Sequence, residues 1–307
     1  MKDIALIFPG QGAQKVGMGK DLYDQSPAAK LIFDQAEKIC GNGLLKVMFE
    51  GPEDQLMKTA FCQPAILTMS IAALRAFEAH PKFKDVNIRF TAGLSLGEYS
   101  AHAAARTIGF EETLRLVLKR GAYMDEACTL NKGAMAAVIG FDKNALVKIC
   151  QQTGAEVANF NSHEQVVITG QADKVSAAIE AIKAAGGQKV IPLTVSGAFH
   201  SSLMQSAADK FAVALKDVPV TLTDIKVLTN VNGRPQESVE DIRCNLKKQI
   251  MASVQWVASI EYLMSQGITN FIEIGPGKVL KGLIRRIDPN AAVSNIEKPS
   301  DIDALSL

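Results

Sequence analysis

Apolar runs of strand length recur along the chain and are separated by stretches with helical periodicity. Residues 4–8, Ile-Ala-Leu-Ile-Phe, form a continuous apolar run of the kind found in a central strand covered on both faces. Further segments with strand character are residues 86–92, 226–230 and 269–274. Between them apolar residues fall at helical spacing, as in residues 111–127. The pattern predicts an α/β fold with a parallel sheet.

One segment has a different order of elements. The predicted elements are strand 135–139, helix 144–152, strands 157–160 and 165–169, helix 173–185 and strand 189–193. The order βαββαβ is that of a ferredoxin-like unit, which is self-contained enough to be an insertion. We therefore predict a ferredoxin-like subdomain at residues 133–195, inserted in a main domain made of residues 1–132 and 196–307.

A serine flanked by glycines follows the predicted strand at residues 86–92. Residues 93–98 read Gly-Leu-Ser-Leu-Gly-Glu, and the alanine-rich run after them favours a helix. Because glycines allow a tight turn, this strand–turn–helix pattern presents the hydroxyl of Ser95 at the carboxyl end of a strand. The N–H of Leu96, at the helix N-terminus, is the nearest candidate donor to an oxyanion. A tight structural turn without chemistry is the alternative interpretation.

The loop after the first strand, residues 9–19, is rich in glycine. Its spacing fits neither a phosphate-binding loop nor a dinucleotide-binding fingerprint. Ligands of a parallel sheet gather at the carboxyl ends of the strands, so this loop is expected beside Ser95. The backbone N–H of Gln11 is then a second candidate oxyanion donor. The alternative is an ordinary flexible exit from the strand.

A serine nucleophile needs a base, and the chain has four histidines. His102 lies seven residues along the predicted helix from Ser95, about 10 Å away and out of reach. His80 lies in a connection and His163 in a turn of the predicted insertion. His200, where the chain re-enters the main domain, remains as the candidate base, with a capping or core role as the alternative. No acid between Ser95 and His200 has an obvious strand-end setting, which favours a Ser-His dyad over a hydrolase triad.

Two features involve basic residues. Arg120 stands off the apolar stripe of a predicted helix, where it could reach a cavity and bind a carboxylate through its forked guanidinium. From this segment alone, a solvated helix arginine is the preferred interpretation. Four further basic residues share a helix near the C-terminus, and a solvated face is again favoured over a docking face for an acidic partner; they are Lys278, Lys281, Arg285 and Arg286.

Composition excludes several function classes. With 33 basic and 32 acidic residues the net charge is +1, so no global field recruits nucleic acid or an acidic membrane surface. The five cysteines are scattered and include no Cys-x-x-Cys pair, which favours reduced thiols over a metal site. The first residues carry an early acid and too short an apolar run for a signal peptide, and no later run approaches membrane-spanning length. These observations predict a cytoplasmic protein that binds neither nucleic acid nor membranes.

Several motifs occur together in a characteristic order along the chain. They are Phe-Pro-Gly-Gln-Gly at 8–12, Gln-Pro-Ala at 63–65, the serine motif at 93–98, Arg-Gly at 120–121, Asn-Phe-Asn-Ser at 159–162, Gly-Ala-Phe-His-Ser at 197–201, Gln249 with Val-Gln-Trp at 254–256, and Glu-Ile-Gly-Pro-Gly at 273–277. In these motifs the chain resembles, over essentially its whole length, the malonyl-CoA:acyl carrier protein transacylases of fatty acid synthesis. The resemblance implies an α/β-hydrolase-like main domain with a ferredoxin-like insertion. It also implies malonyl-CoA and acyl carrier protein as partners, and no metal or redox cofactor.

The resemblance implies roles for individual residues. Ser95 would be the acylated nucleophile and His200 its base, while the N–H groups of Gln11 and Leu96 would form the oxyanion hole. Arg120 would bind the malonyl carboxylate.

Three further positions match the family near the active site. The backbone carbonyl of Gln249 would orient the histidine, which would explain the missing acid, and Asn161 would lie close by. The ring of Phe199, next to the base, would leave little room for an α-methyl group and so select malonyl.

The chain departs from the family pattern at three places. Leu94 stands where the family usually has histidine, His163-Glu164 where it has Pro-Gly, and Ala252-Ser253 where it has Asn-Pro before Val-Gln-Trp. Leu94 lies beside the nucleophile, so this departure affects the pocket, whereas the dyad is intact.

The predicted function is transfer of malonyl from malonyl-CoA to the phosphopantetheine thiol of acyl carrier protein through a Ser95 acyl-enzyme. One alternative is a serine esterase or thioesterase, which would release free malonate without a carrier. Another is a non-catalytic docking protein that binds a carrier through the Lys278 to Arg286 face and forms no acyl-enzyme.

Overall fold

Nine strands are found in the residues that the computed structural model describes, 2–41 and 43–306; Met1, Asn42 and Leu307 lie outside this range. The strands are β1 (Lys2–Phe8), β2 (Val86–Gly93), β3 (Gly133–Ile139), β4 (Glu156–Phe160), β5 (Gln165–Gln171), β6 (Lys189–Pro192), β7 (Lys226–Val227), β8 (Asn270–Ile274) and β9 (Ala292–Ile296). The helices are α1 (Lys20–Gln25), α2 (Pro27–Cys40), α3 (Leu44–Glu50), α4 (Glu53–Leu56), α5 (Thr59–Glu78), α6 (Leu96–Ala105), α7 (Phe110–Leu130), α8 (Lys143–Thr153), α9 (Ala172–Ala184), α10 (Gln205–Leu215), α11 (Val239–Gln249), α12 (Trp256–Ser265), α13 (Val279–Ile287) and α14 (Pro299–Asp303).

The main sheet is parallel and has β1 at its centre. Its strand order is β7-β2-β1-β8-β9, and each neighbouring pair runs in the same direction. Side chains of β1 alternate between two apolar cores: Ile4 and Leu6 lie in one, Ala5 and Ile7 in the other. The strand is therefore covered on both faces, which is why its sequence is apolar without interruption.

A separate antiparallel sheet is formed by β3 to β6, in the order β4-β5-β3-β6. One face packs on α8 and α9 through a core that includes Val138, Ile168 and Ile182. The other face contributes Met135 and Val167 to the core of the main body. Each predicted strand and helix of this segment is present, and the prediction of an α/β fold with a parallel sheet is confirmed.

The structure differs from the predicted elements in the C-terminal third. The strand predicted at 226–230 is the two-residue β7, because Leu228 turns to pair with Pro235 and Asn230 contacts the end of β2 instead. The helical region predicted from 240 to 264 is divided into α11 and α12. Strand β9 was not predicted, since the consecutive polar residues Ser294 and Asn295 interrupt its short apolar pattern.

The prediction that no run approaches membrane-spanning length is wrong for helix α5. It is the single helix of the described residues that is long and apolar enough to cross a membrane by length and composition. Of its most apolar window, 83% is buried inside the protein. Packing against α2 and α7 accounts for this apolar surface.

Two glycines allow α6 to begin directly against the main sheet. A Cβ atom at Gly97 would lie 2.1 Å from the carbonyl oxygen of Phe8, and one at Gly93 would lie 2.0 Å from the carbonyl carbon of Gly97. Neither distance is tolerated between real atoms, so no larger residue fits at either position without moving the backbone. This close approach brings the ends of β1 and β2 and the start of α6 to one point.

Substitution of Gly97 by alanine should therefore lower the free energy of unfolding by about 1–3 kcal/mol, the usual effect of overpacking. Gly282 in α13 is the matched control, because a Cβ there meets nothing within 4 Å and alanine is the better helix former by about 1 kcal/mol. Urea denaturation of both variants measures the difference. Equal losses of stability in Gly97→Ala and Gly282→Ala would contradict the steric account.

Candidate active site

Ser95 occupies the turn between β2 and α6 in a strained backbone conformation. Its φ is 53° and its ψ −105°, a region that residues with a side chain rarely adopt. Asn230 braces the turn on two sides: its Oδ1 accepts a hydrogen bond from the Ser95 N–H at 2.6 Å, and its Nδ2 donates to the Gly93 carbonyl at 2.7 Å. The sharp turn directs the hydroxyl away from the sheet, as the glycine-flanked motif predicts.

The imidazole of His200 contacts that hydroxyl. Nε2 lies 2.7 Å from Ser95 Oγ, while Nδ1 faces the backbone carbonyls of Gln249 at 2.9 Å and Ala252 at 3.2 Å. Since carbonyls only accept hydrogen bonds, Nδ1 carries the proton and Nε2 presents its lone pair to the serine. His200 also has a positive φ, 56°, so both partners of this contact lie on strained backbone.

Burial keeps this imidazole neutral. Desolvation, followed by the charge of Arg120, lowers the pKa of His200 to about 4, against the opposing effect of the two carbonyls. At neutral pH the ring is therefore free to accept a proton from Ser95.

Arg120 projects from α7 into the same site. It is 1% exposed, so the interpretation as a solvated helix arginine is wrong. Its Nη2 donates to Ser95 Oγ at 3.1 Å and to Gln249 Oε1 at 3.2 Å, and Nη1 donates to Gln63 Oε1 at 2.8 Å. The guanidinium carbon also lies 5.2 Å from the centre of the Tyr99 ring. Burial lowers the pKa of Arg120, yet arginine stays charged in proteins, so a buried cation faces the serine.

The three side chains open onto a cavity of about 340 Å³ between the main body and the antiparallel sheet. The cavity is lined by the predicted residues Gln11, Leu96, Asn161 and Phe199, and by apolar side chains that include Leu94, Met124, Met135 and Val167. It combines one buried cation with a largely apolar wall, a setting that strengthens charge–charge attraction.

The two residues with the predicted oxyanion donors, Gln11 and Leu96, both line the cavity that contains Ser95. Leu96 is the first residue of α6, so its N–H has no acceptor within the helix. Gln11 follows β1, whose last residue Phe8 accepts a hydrogen bond from the N–H of Leu94 at 3.1 Å. The contact between the two strand ends thus brings the glycine-rich loop to the serine turn. A neutral base, a hydroxyl and N–H donors in this arrangement can perform acyl transfer through a serine ester.

The remaining histidines lie away from the cavity. His102 is fully buried and contacts Thr107 Oγ1 at 2.7 Å and Gln236 Nε2 at 3.2 Å. His80 faces Asp303 and His163 faces Glu261 on the surface. Among residues 2–41 and 43–306, no group of three or more His, Cys, Asp or Glu side chains could hold a metal ion.

Three polar residues that contact the site were not predicted. Gln63 binds the guanidinium of Arg120, Asn230 braces the serine turn, and Glu98 lies fully buried behind it. The Gln-Pro-Ala motif contains the first, but nothing in its spacing indicates contact with Arg120. Asn230 falls at the end of a predicted strand, where polar side chains of a parallel sheet often converge on a site.

Two of the departures from the family pattern lie at the site, whereas His163 and Glu164 lie away from it. Leu94 supplies an apolar side chain to the cavity wall and packs against Gly10. Ala252 contributes the second carbonyl that faces His200, and Ser253 Oγ donates to the Val157 carbonyl at 2.5 Å.

The basic residues of α13 lie at the surface, with Arg286 donating to Gln165 Oε1 at 3.1 Å.

Comparison with known proteins identifies the family of the chain. Residues 5–296 match the acyl transferase domain family. The chain is 42% identical over 310 residues to the malonyl CoA-acyl carrier protein transacylase of Bacillus subtilis (strain 168), covering 99% of this chain and 96% of the relative.

Solved structures match over nearly the whole chain. An acyl-carrier-protein-S-malonyltransferase from Bartonella henselae superimposes with a TM-score of 0.94 at 38% identity, covering 99% of this chain and 98% of that one. A malonyl-transacylase in complex with a type II PKS acyl-carrier protein gives a TM-score of 0.94 at 36% identity, with coverage of 99% and 98%. The chain therefore belongs to the acyl transferase domain family and, within it, to the malonyl-CoA:acyl carrier protein transacylases.

Proposed function

We propose that this acyltransferase moves a malonyl group from malonyl-CoA to the phosphopantetheine thiol of an acyl carrier protein. The observation that carries the proposal is the buried guanidinium of Arg120 within hydrogen-bond distance of Ser95 Oγ. A cation at that distance from a nucleophile fits an acyl group that carries a carboxylate. In malonyl, a single CH2 group separates the carboxylate from the thioester carbonyl.

The first half-reaction forms a malonyl ester on Ser95. Ser95 Oγ attacks the thioester carbonyl carbon while His200 Nε2 takes the hydroxyl proton, and the N–H groups of Leu96 and Gln11 stabilise the oxyanion. The C–S bond then breaks, and the imidazolium of His200 returns its proton to the departing sulfur of coenzyme A. The backbone carbonyls of Gln249 and Ala252 hold the ring in the required tautomer throughout.

The second half-reaction reverses these steps with another thiol. The phosphopantetheine thiol of the carrier gives its proton to His200 and attacks the ester carbonyl of the malonyl group on Ser95. The C–O bond breaks, and His200 protonates Ser95 Oγ, which restores the free enzyme. Transfer is thus thiol to thiol, and neither step needs a metal or redox cofactor.

Specificity in this proposal comes from one cation and one ring. Arg120 binds the malonyl carboxylate, and its neutral partners Gln63 and Gln249 leave the positive charge available. Phe199, 7% exposed and next to the base, limits the space for an α-methyl group. Asn161, also on the cavity wall, is proposed as a supporting residue.

We also propose the finer description of the fold. Residues 133–195 form a ferredoxin-like insertion, which the strand order β4-β5-β3-β6 supports, and residues 1–132 and 196–307 form an α/β-hydrolase-like catalytic domain, which the serine turn on a parallel sheet supports. A cytoplasmic location remains a prediction from the sequence.

The esterase alternative uses the same serine with water as acceptor. Incubation with malonyl-CoA, with and without a carrier protein, distinguishes the two functions. We expect slow release of malonate without carrier and rapid transfer with it. Fast release of malonate in the absence of carrier would favour the esterase.

The nucleophile is tested by intact-mass spectrometry after incubation with malonyl-CoA. The unmodified protein should gain the mass of one malonyl group and Ser95→Ala should gain none, because the attacking oxygen is absent. Ser196→Ala, which removes an exposed serine at the edge of a neighbouring cavity, should form the adduct normally. An adduct that persists in Ser95→Ala would place the nucleophile elsewhere, and no adduct on any variant would favour the docking protein.

Replacement of Arg120 by alanine should abolish the preference for malonyl. Truncating one partner of a buried charged pair costs about 2–5 kcal/mol, so kcat/KM for malonyl transfer should fall by at least about 30-fold. Acetyl transfer should be retained or increased, since acetyl has no carboxylate. Arg115→Ala, on the exposed side of the same helix, should change neither rate. An unchanged malonyl preference in Arg120→Ala would exclude Arg120 as the carboxylate ligand.

The pH dependence of Ser95 acylation follows from the neutral state of His200. Because its pKa is lowered from 6.5 to about 4, the base form persists as pH falls, and kcat/KM should decline only as pH approaches 4. Stopped-flow acylation with malonyl-CoA between about pH 4 and 8 gives this profile. Circular dichroism over the same range controls for unfolding. A decline centred near 6.5, the ordinary histidine value, would show that the imidazole is not desolvated in the free enzyme.

A further inference from the structure

The side chain of Gln249 lies at the centre of the polar network behind the site. It is fully buried, and its two ends contact different groups. Nε2 donates to the Ser95 carbonyl at 2.8 Å and to Glu98 Oε2 at 2.9 Å, while Oε1 accepts from Arg120 Nη2 at 3.2 Å. Both amide hydrogens are therefore used on one side, and the oxygen faces the guanidinium on the other.

The direction of this amide is determined by its neighbours. If the group turned over, Oε1 would face two acceptor oxygens and Nε2 would face a guanidinium that only donates. Ser95 contributes one of the two acceptors through its backbone. Glu98 contributes the other, and it is the one a side-chain substitution can remove.

Glu98 contacts the serine turn by a second route, through Asn230. Its Oε2 also accepts from the Asn230 N–H at 2.9 Å, and Asn230 braces the turn that carries Ser95. Its other oxygen, Oε1, has no hydrogen-bond partner among the described residues. Burial raises the pKa of Glu98 to about 7, against the opposing effect of the hydrogen bonds from Asn230 and Gln249. Burying an acid with an unpaired oxygen is costly, so the position of Glu98 behind the site requires an explanation beyond stability.

We infer that Glu98 is a positioning residue that acts through the Gln249 amide to hold the Arg120 guanidinium in place for the carboxylate of the acyl group. The inference rests on the proposed malonyl transfer. Direct contact between Glu98 and Arg120 would form an ion pair that competes with the substrate carboxylate. The intervening amide anchors the arginine through a neutral oxygen and leaves its charge for the ligand.

This arrangement makes a prediction about the side chain of Gln249 alone. Its backbone carbonyl accepts from His200 in any variant, so Gln249→Leu removes the amide and keeps the contact to the base. Glu98→Ala removes the acceptor that orients the amide. Glu98→Gln keeps an acceptor oxygen at that position and should rescue the function.

The readout is the ratio of kcat/KM for malonyl transfer to that for acetyl transfer. Loss of a hydrogen bond to a charged group changes a rate or binding constant by about 10- to 100-fold. The malonyl-to-acetyl ratio should therefore fall by about that factor in Glu98→Ala and in Gln249→Leu. Glu98→Gln should remain within about threefold of the unmodified protein, because its carbonyl oxygen accepts the same hydrogen bonds. In an Arg120→Ala background, Glu98→Ala should not change the ratio further, since no guanidinium remains to be held.

Glu273 is the matched control. It is equally buried, and its two oxygens accept from the N–H groups of Leu280 and Lys281 at 3.0 and 2.9 Å at the start of α13. Glu273→Ala should lower the thermal stability and leave the malonyl-to-acetyl ratio unchanged. If Glu98→Ala does not fold, Gln249→Leu and Glu98→Gln still give the test.

The outcomes separate this inference from the proposed function. An unmodified protein that transfers no malonyl would refute the proposed function. Malonyl transfer by the unmodified protein with an unchanged ratio in Gln249→Leu would refute only the role of the amide. A ratio in Glu98→Gln as low as in Glu98→Ala would also overturn the inference, because the acceptor oxygen would then not be what matters.

Discussion

The close contact between Gly97 and the Phe8 carbonyl is the constraint on which the site depends. Without side chains at 93 and 97, the ends of β1 and β2 and the first turn of α6 meet within atomic contact. The same contact brings the Gln11 loop to the Ser95 turn, although the two are more than 80 residues apart in the chain. The backbone strain at Ser95 persists because the hydrogen bonds of Asn230 and the contacts with the sheet hold the turn in this conformation.

The second determinant of the site is the buried positive charge of Arg120. The site holds a cation, Arg120, whose hydrogen-bond acceptors are the neutral oxygens of Gln63, Gln249 and Ser95. A buried charge without a direct counter-ion is unfavourable, and in the proposed reaction an anionic acyl group would relieve that penalty on binding. Burial is the main reason that the pKa of His200 is lowered, and the positive charge of Arg120 lowers it further. In the proposed function one buried arginine therefore acts twice: it binds the substrate carboxylate and it lowers the pKa of the base.

The sequence predicts the elements better than the contacts between them. Apolar runs and glycines identified β1, β2, the serine turn and the segment from Gly133 to Pro192, because local sterics and burial act directly on those residues. Elimination among the histidines led to His200, which contacts Ser95. The burial of Arg120 was not visible locally, because it depends on Gln63 and Gln249, which are distant in the chain. Glu98 and Asn230 were missed for the same reason: each acts through a partner more than 130 residues away.

The anchoring of His200 by two main-chain carbonyls has a consequence for how the protein can change. Carbonyl oxygens of the backbone have no pKa in the physiological range and cannot be removed by exchanging a side chain. A carboxylate in their place could be lost through a single substitution or neutralised by acid. The residues at 249 and 252 are therefore free to vary in identity as far as the base is concerned, as Ala252 illustrates, provided that the chain after α11 keeps its path. The orientation of the His200 ring therefore depends on the path of the backbone, and most side-chain substitutions leave it unchanged.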